Sequence, residues 1–248
     1  MGLFFDAWLA APPLGPGAPV PPEDCAGALL FGPEAKARCQ DLERWRPHLL
    51  WRYAELLERI VGETHARFPS RSATVIDLLL DDEHLDLCLK RPAEWWPLCY
   101  PLRNESRWIR LTLPAGAPVL VRVKQILKRY PETLFWVDPF RHGPQPGWQG
   151  HVRLAEWPNV MLTTLGLFPG FSAWTAEQAE EALAFVAGEV GAARLLYATG
   201  GGWDDLVSGR DRPPRAWLES CARLDDRERE LVLNGNARHL FGPPLSGD

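Results

Sequence analysis

The stretch that decides the fold runs from Val190 to Gly242, and it opens with V-G-A-A-R-L-L-Y-A-T-G-G-G-W-D-D-L over residues 190–206. Arg194 to Thr199 form a short apolar run between Gly191 and three consecutive glycines, which is typical of a buried strand. The stretch closes with L-D-D-R-E-R-E-L-V-L-N-G-N-A-R-H-L-F-G over residues 224–242. A buried strand followed by helix is the pattern expected at the end of an alternating α/β fold.

Capping signals mark the helix boundaries in this closing part. Asp225 is followed three residues later by Glu228, which is the pattern of a capping box at a helix N-terminus. Asn234-Gly235 predicts a helix stop. Asn236 is then expected to cap a last short helix over residues 237–240.

The order of strand, glycine-rich turn, helix and N-A-R-H-L-F-G resembles the closing segment of amidohydrolase-related metal hydrolases. Two upstream segments, R-Y-P-E-T-L-F-W-V-D-P-F at 129–140 and P-N-V-M-L-T-T-L-G at 158–166, are also similar to that family. The resemblance implies an α/β fold, a (β/α)8 TIM-like barrel that is trimmed or distorted in its N-terminal half. The 248 residues suit a single barrel domain spanning 1–248.

Hydrophobic periodicity predicts the remaining elements. Strands are expected at 3–9, 26–31, 73–80, 108–113, 133–140 and 159–168, with His151 at the start of a strand. Helices are expected at 42–68, 118–130 and 175–191, the last with a capping box from Thr175 to Gln178. The Pro/Gly-rich segment 12–22 is expected to be a loop. No element is readable at 91–104, so the sequence alone does not yield eight strands.

The resemblance also implies a metal site at the strand ends, whose ligands this chain lacks. Asp6 matches the first residue of the family pattern D-x-H-x-H. The residues at the family's ligand positions are Trp8, Ala10, one near Thr112, Pro139 and Gly200. A metal that activates water needs N, O or S donors, and four of these five residues have no coordinating side chain. We therefore predict no metal and no other cofactor.

Three kinds of site remain open at the strand ends, where barrels carry their function. Asp138 or Asp204 beside His142 would suit acid–base catalysis. The glycines at 200–202 would suit an anion-binding turn. Aromatic residues would suit a pocket for a small molecule. The pocket residues predicted are Asp6, Trp8, Thr112, Arg141, Thr199, Gly200, Gly201, Gly202 and Trp203.

Composition excludes several classes of partner and compartment. The net charge of −5 and the lack of a basic cluster argue against nucleic acid and anionic membranes. The five cysteines are odd in number and form no C-x-x-C, which indicates reduced thiols and a cytoplasmic protein. The N-terminus has no basic region before its apolar residues, so no signal peptide is expected, and no apolar run is long enough to span a bilayer.

The function predicted from these observations is that of a degenerate amidohydrolase-related barrel without the family's metal-dependent hydrolase activity. Such a pseudoenzyme would bind a small ligand, form a homo-oligomer or pair with an active homologue. The alternative is an active hydrolase or lyase, of decarboxylase or lactonase type, acting on a small carboxylated or cyclic substrate through Asp138, His142 or Asp204. Whether the chain is an enzyme stays open at this point.

Overall fold

Eight parallel strands form one sheet in which the spatial order follows the order of the chain, β1 to β8. The computed structural model describes residues 4–10, 25–31, 50–56, 75–79, 85, 89–90, 108–114, 117–170, 172–200 and 212–241, the first four ranges by their backbone. The strands are β1 Phe4–Ala10, β2 Cys25–Phe31, β3 Leu50–Leu56, β4 Val75–Leu79, β5 Trp108–Thr112, β6 Leu134–Val137, β7 Val160–Thr163 and β8 Leu195–Leu196. Parallel neighbours in chain order are the arrangement of a (β/α)8 barrel.

Helices separate the later strands. They are α1 Ala117–Arg129, α2 Trp148–Val152, α3 Ala176–Glu189, α4 Arg212–Ser220, α5 Asp226–Glu230 and α6 Asn236–Phe241. Two 3₁₀ turns lie at Arg153–Glu156 and Ala192–Arg194, and a π-helical segment at Leu231–Gly235 joins α5 to α6. In the described part of the chain no helix is long and apolar enough to cross a membrane.

The side chains of β5 to β8 alternate between two apolar clusters, as a barrel requires. The outer set packs against the helices and includes Ile109, Leu111, Phe135, Val137, Val160, Leu162, Leu195 and Tyr197. The inner set is Trp108, Trp136, Met161, Leu196 and Ala198, and it packs with Ala237 and Phe241 of α6. Side chains that share the parity of the inner set therefore face the lumen.

The π-helical segment connects the two ends of the sheet. It contacts both β1 and β8. The Val232 carbonyl oxygen accepts a hydrogen bond from the Tyr197 amide at 3.0 Å. A π turn shifts the helical hydrogen bonds by one residue, which leaves a carbonyl available for such a bond. This hydrogen bond thus connects the residue after β8 to the helical segments that end the described chain.

The expected helix stop at Asn234-Gly235 is wrong, because the chain continues through the π turn into α6. Asn236 is helical, with φ −63° and ψ −43°, and does not cap α6. Its side-chain amide instead donates to the carbonyl oxygens of Ala192 and Leu195, both at 2.8 Å. The local capping preference of asparagine is therefore overridden by a long-range contact that holds β8 in place.

Three other predicted elements differ from the observed secondary structure. The helix expected at 42–68 is wrong at residues 50–56, which form β3, and the remainder lies outside the described residues. His151 lies in α2 and does not begin a strand. Strand β8 is shorter than expected, since Arg194 belongs to a 3₁₀ turn. The segments 12–22 and 91–104 are outside the described residues.

Both capping boxes are confirmed. The Thr175 hydroxyl accepts from the Gln178 amide at 3.2 Å, and the Gln178 side chain accepts from the Thr175 amide at 3.1 Å. Asp225 and Glu228 make the same reciprocal pair at 2.7 and 2.9 Å. Each box satisfies two amides that the first turn of a helix leaves without partners.

Candidate functional site

A buried ion pair lies in the lumen at the carboxyl ends of β5 and β6. The Arg110 Nε donates to Asp138 Oδ2 at 2.8 Å, and its Nη2 contacts the same oxygen. The other carboxylate oxygen accepts from the Thr163 hydroxyl at 2.6 Å. The Arg110 and Asp138 side chains are only 3% and 2% exposed. Both oxygens of Asp138 are thus engaged by protein groups in a water-poor setting.

The strands position these three residues through their alternation. Arg110 is two residues beyond the lumen-facing Trp108, Asp138 is two beyond Trp136, and Thr163 is two beyond Met161. All three therefore belong to the lumen face, one layer nearer the strand ends than the apolar inner set. The polar layer sits on an apolar floor, at the end of the barrel where such folds carry their sites.

The rim of the barrel mouth adds the residues that follow these strands. Arg141 lies beyond β6, is exposed, and its Nη1 is 3.4 Å from the Thr112 hydroxyl at the end of β5. Thr199 is half-buried beyond β8, and Gly200 beside it is exposed. Arg141 and Thr112, two of the predicted pocket residues, thus lie side by side. Arg141 presents an exposed cationic group at this part of the mouth.

Gly200 has a conformation that favours glycine. Its φ is +69°, and a Cβ atom built on it would lie 2.5 Å from Leu165 Cδ1. The backbone at position 200 therefore disfavours a side chain, and a Cβ there would also require Leu165 to move. The neighbouring Thr164 hydroxyl bonds Ala198, accepting from its amide at 2.9 Å and donating to its carbonyl at 3.1 Å.

His142 and Asp138 have different hydrogen-bond partners. Its Nε2 lies 2.8 Å from the Leu113 carbonyl oxygen, while Asp138 contacts Arg110 and Thr163. Within the described residues these two predicted catalytic groups share no hydrogen bond. The predicted residues Gly201, Gly202, Trp203 and Asp204 lie outside the described residues. Asp6 and Trp8 lie on β1, whose side chains are also outside the description.

Arg110 and Thr163 were not among the residues predicted from the sequence. A signal for Arg110 existed, because it stands in the middle of the strand I-R-L-T-L between two apolar neighbours. Barrel strands are covered on both faces, so a charged residue inside one needs an ionised partner. Thr163 offered no such signal, since threonine is a frequent strand residue.

The described residues at the mouth do not fit a metal ion. At the family's ligand positions, Pro139 and Gly200 have no donor side chain. Asp138 is the nearest carboxylate, and both its oxygens are already bonded. The Arg110 guanidinium beside it would repel a second cation in this low-dielectric setting. No cluster of three or more His, Cys, Asp or Glu side chains occurs in the part of the chain that the structure describes.

Comparison with known proteins identifies relatives by sequence model and by structure. The model of the amidohydrolase family matches residues 82–242. None of the curated proteins gives a sequence match. An amidohydrolase from Burkholderia multivorans is similar in structure at a TM-score of 0.64 and 14% identity, over 98% of this chain and 100% of that one.

Two further solved structures are similar. A candidate 2-pyrone-4,6-dicarboxylic acid hydrolase from Pseudomonas putida matches with a TM-score of 0.60 and 19% identity, over 88% of this chain and 82% of that one. A 2,6-dihydroxybenzoate decarboxylase from Rhizobium matches with a TM-score of 0.50 and 12% identity, over 97% and 99%. At these identities the likeness supports the fold alone.

Proposed function

The chain belongs to the amidohydrolase family, and from that premise we propose that it is a metal-free member which binds a small anionic ligand at the barrel mouth and lacks metal-dependent hydrolysis. The observation that carries this proposal is the buried pair of Arg110 and Asp138. A hydrolytic metal needs free donor atoms and an open position for water. Here the carboxylate that would face the metal is bonded on both oxygens, and a fixed cation lies beside it.

The proposed ligand chemistry follows from the rim. The Arg110 charge is balanced by Asp138, whereas Arg141 is exposed and adjacent to the Thr112 hydroxyl. A guanidinium with a nearby hydroxyl suits a carboxylate, which accepts charge-assisted hydrogen bonds from both.

A second candidate function is catalysis of hydrolase or lyase type on a small carboxylated or cyclic substrate. The same Arg141 rim favours it, and two structural neighbours carry names of that kind, a dicarboxylic acid hydrolase and a dihydroxybenzoate decarboxylase. Its acid–base groups would be Asp138, His142 or Asp204. It would require Asp138 to leave Arg110 when substrate binds.

Metal content tests the first part of the proposal. Tag-free protein is incubated with zinc or manganese, dialysed and analysed by elemental mass spectrometry, with the melting temperature followed in parallel. We expect no metal whose binding depends on Asp138. A stoichiometric metal that is retained by the wild type and lost in Asp138→Asn would refute the metal-free mouth.

Ligand binding tests the second part. Small mono- and dicarboxylic acids are screened by thermal shift and confirmed by calorimetry, with Arg141→Gln as the test variant. Arg153→Gln is the matched control, because Arg153 is an exposed arginine outside the mouth. We expect binding that Arg141→Gln abolishes and Arg153→Gln preserves. Turnover of a bound acid would favour the catalytic alternative. We also propose that the chain forms a homo-oligomer or pairs with an active homologue. Light scattering of the same samples measures self-association, and co-purification with an active homologue tests pairing.

A further inference from the structure

A cleft lies in the loop between β6 and α2, beside the barrel mouth. It is open to solvent, and its interior has room for a group of about the size of a water molecule. Its lining includes Pro139, His142, Gln145, Pro146, Trp148 and His151. Two imidazole rings therefore share one narrow cleft that contains no carboxylate.

The contact made by His142 determines which of its ring nitrogens is free. Its Nε2 lies 2.8 Å from the Leu113 carbonyl oxygen. A carbonyl oxygen only accepts, so Nε2 carries the hydrogen and donates it. In the neutral ring the other nitrogen, Nδ1, then has an available lone pair. The Leu113 contact thus fixes the ring in the manner in which backbone carbonyls orient metal-binding histidines.

His151 supplies the second nitrogen. The residue is 4% exposed, and its Nε2 is buried without a hydrogen-bond partner among the described residues. Burial and, to a smaller extent, the nearby His142 lower the pKa of His151, so its ring is neutral at pH 7. A buried ring nitrogen without a partner is unfavourable, and His151 lines the cleft, where a ligand can supply the missing partner.

We propose that this cleft binds a divalent transition-metal cation of borderline softness, the class of Ni²⁺ and Zn²⁺, through His142 and His151. Neutral imidazoles suit these ions, whereas Mg²⁺ and Ca²⁺ require oxygen ligands that the lining offers sparsely. Water completes the coordination on the open side. The cleft and the mouth meet at Pro139, but neither Asp138 nor Arg110 lines the cleft.

Nickel titration tests the assignment. Tag-free, chelator-treated protein is titrated with Ni²⁺ by calorimetry, and Trp148 in the lining provides a fluorescence signal that the bound ion would quench. The test variants are His142→Gln and His151→Gln, each checked for folding by circular dichroism. The matched control is His239→Gln, because His239 is exposed on α6.

We expect one saturable Ni²⁺ site that each test variant weakens by about tenfold or more, by analogy with the loss of groups that hold metals. The control variant and Mg²⁺ are expected to leave the titration unchanged. Wild-type affinity in both test variants, or no saturable binding by the wild type, would overturn the inference. Binding that is lost only in Asp138→Asn would place the ion in the mouth, and would overturn the proposed function as well.

Discussion

Removing one partner of the buried ion pair gives the sharpest test of the lumen. We consider Arg110→Met, which keeps much of the side-chain volume and removes the charge. The Asp138 side chain, about 2% exposed, would then lose its arginine partner and keep the hydrogen bond from the Thr163 hydroxyl. Breaking a buried pair in this way costs about 3–5 kcal/mol, because the remaining charge stays desolvated. For a chain of this size that loss lowers the melting temperature by roughly 6–20 °C.

The matched control is Arg153→Met. Arg153 pairs with Glu189 at 3.0 Å, and the two side chains are 51% and 36% exposed. A pair so exposed contributes about 0–1 kcal/mol, since solvent screens it. Both variants make the same chemical change in an ion pair, so their difference isolates the effect of burial.

The assay is urea unfolding followed by circular dichroism and tryptophan fluorescence, with the free energy of unfolding extrapolated to water. The double variant Arg110→Met/Asp138→Leu is measured beside the single one. We expect it to recover most of the loss, because it removes both charges together. If Arg110→Met cost no more than Arg153→Met, Asp138 would be solvated or protonated, and the electrostatic argument against a metal at the mouth would fail.

Three further outcomes follow from the structure. Gly166→Ala should destabilise the protein by roughly 1–3 kcal/mol, because Gly166 has φ +81° and a Cβ would lie 2.8 Å from the Arg141 Cα. The control Gly188→Ala, in an open helical position, should stabilise it by about 0.5–1 kcal/mol. Equal effects of the two variants in urea unfolding would contradict this expectation. Thr175→Ala should cost about 0.5–2 kcal/mol by removing the cap of α3, whereas Thr175→Ser should restore it. Burial lowers the pKa of His151 in the folded state, so the unfolded chain binds more protons and the free energy of unfolding decreases as the pH falls below about 6.5. His151→Gln should reduce this decrease in the free energy of unfolding between about pH 7.5 and 5.5. The same pH dependence in the variant as in the wild type would refute the prediction.

Local chemistry accounts for the elements that the sequence predicted well. The capping box at Thr175 involves residues three apart in the chain, and the contacts that define it appear in the structure as expected. Helix α1 was readable for a similar reason, since Val123, Ile126 and Leu127 repeat at helical spacing and are fully buried. Predictions that depend on residues within a few positions of one another are correct here, because the tertiary contacts favour the same local conformation.

The failures occurred where long-range contacts decide the conformation. The segment L-W-R-Y-A-E-L at 50–56 has helical spacing of its apolar residues, yet it pairs with β2 and β4 as a strand. Short apolar segments fit both periods, and neighbouring strands decide between them. The predicted cap at Asn236 is wrong for a comparable reason, because its side chain donates a hydrogen bond to the carbonyl oxygen of Ala192, 44 residues away in the chain.

The candidate site shows how much of a constellation can be read from one strand at a time. Asp138, Thr112 and Arg141 were expected near the strand ends, and the structure places Arg141 beside Thr112. The partner of Asp138 could not be read from the sequence, because Arg110 lies 28 residues away on another strand. Which charged residues meet depends on the registration of β5 with β6, and a shift of one residue would turn Arg110 to the other face.

On the proposed function, the ion pair gives a physical reason why Asp138 is tolerated without a metal. In a site that holds a divalent cation, a carboxylate at the strand end is balanced by the ion. If the ligands were lost and nothing else changed, Asp138 would become an isolated buried charge, which is among the most destabilising states of a side chain. Arg110 supplies a fixed cation at that point, and Thr163 satisfies the second oxygen. On the proposed function, Asp138 is therefore retained through its partner, and a chain that lost Arg110 would be expected to lose Asp138 with it.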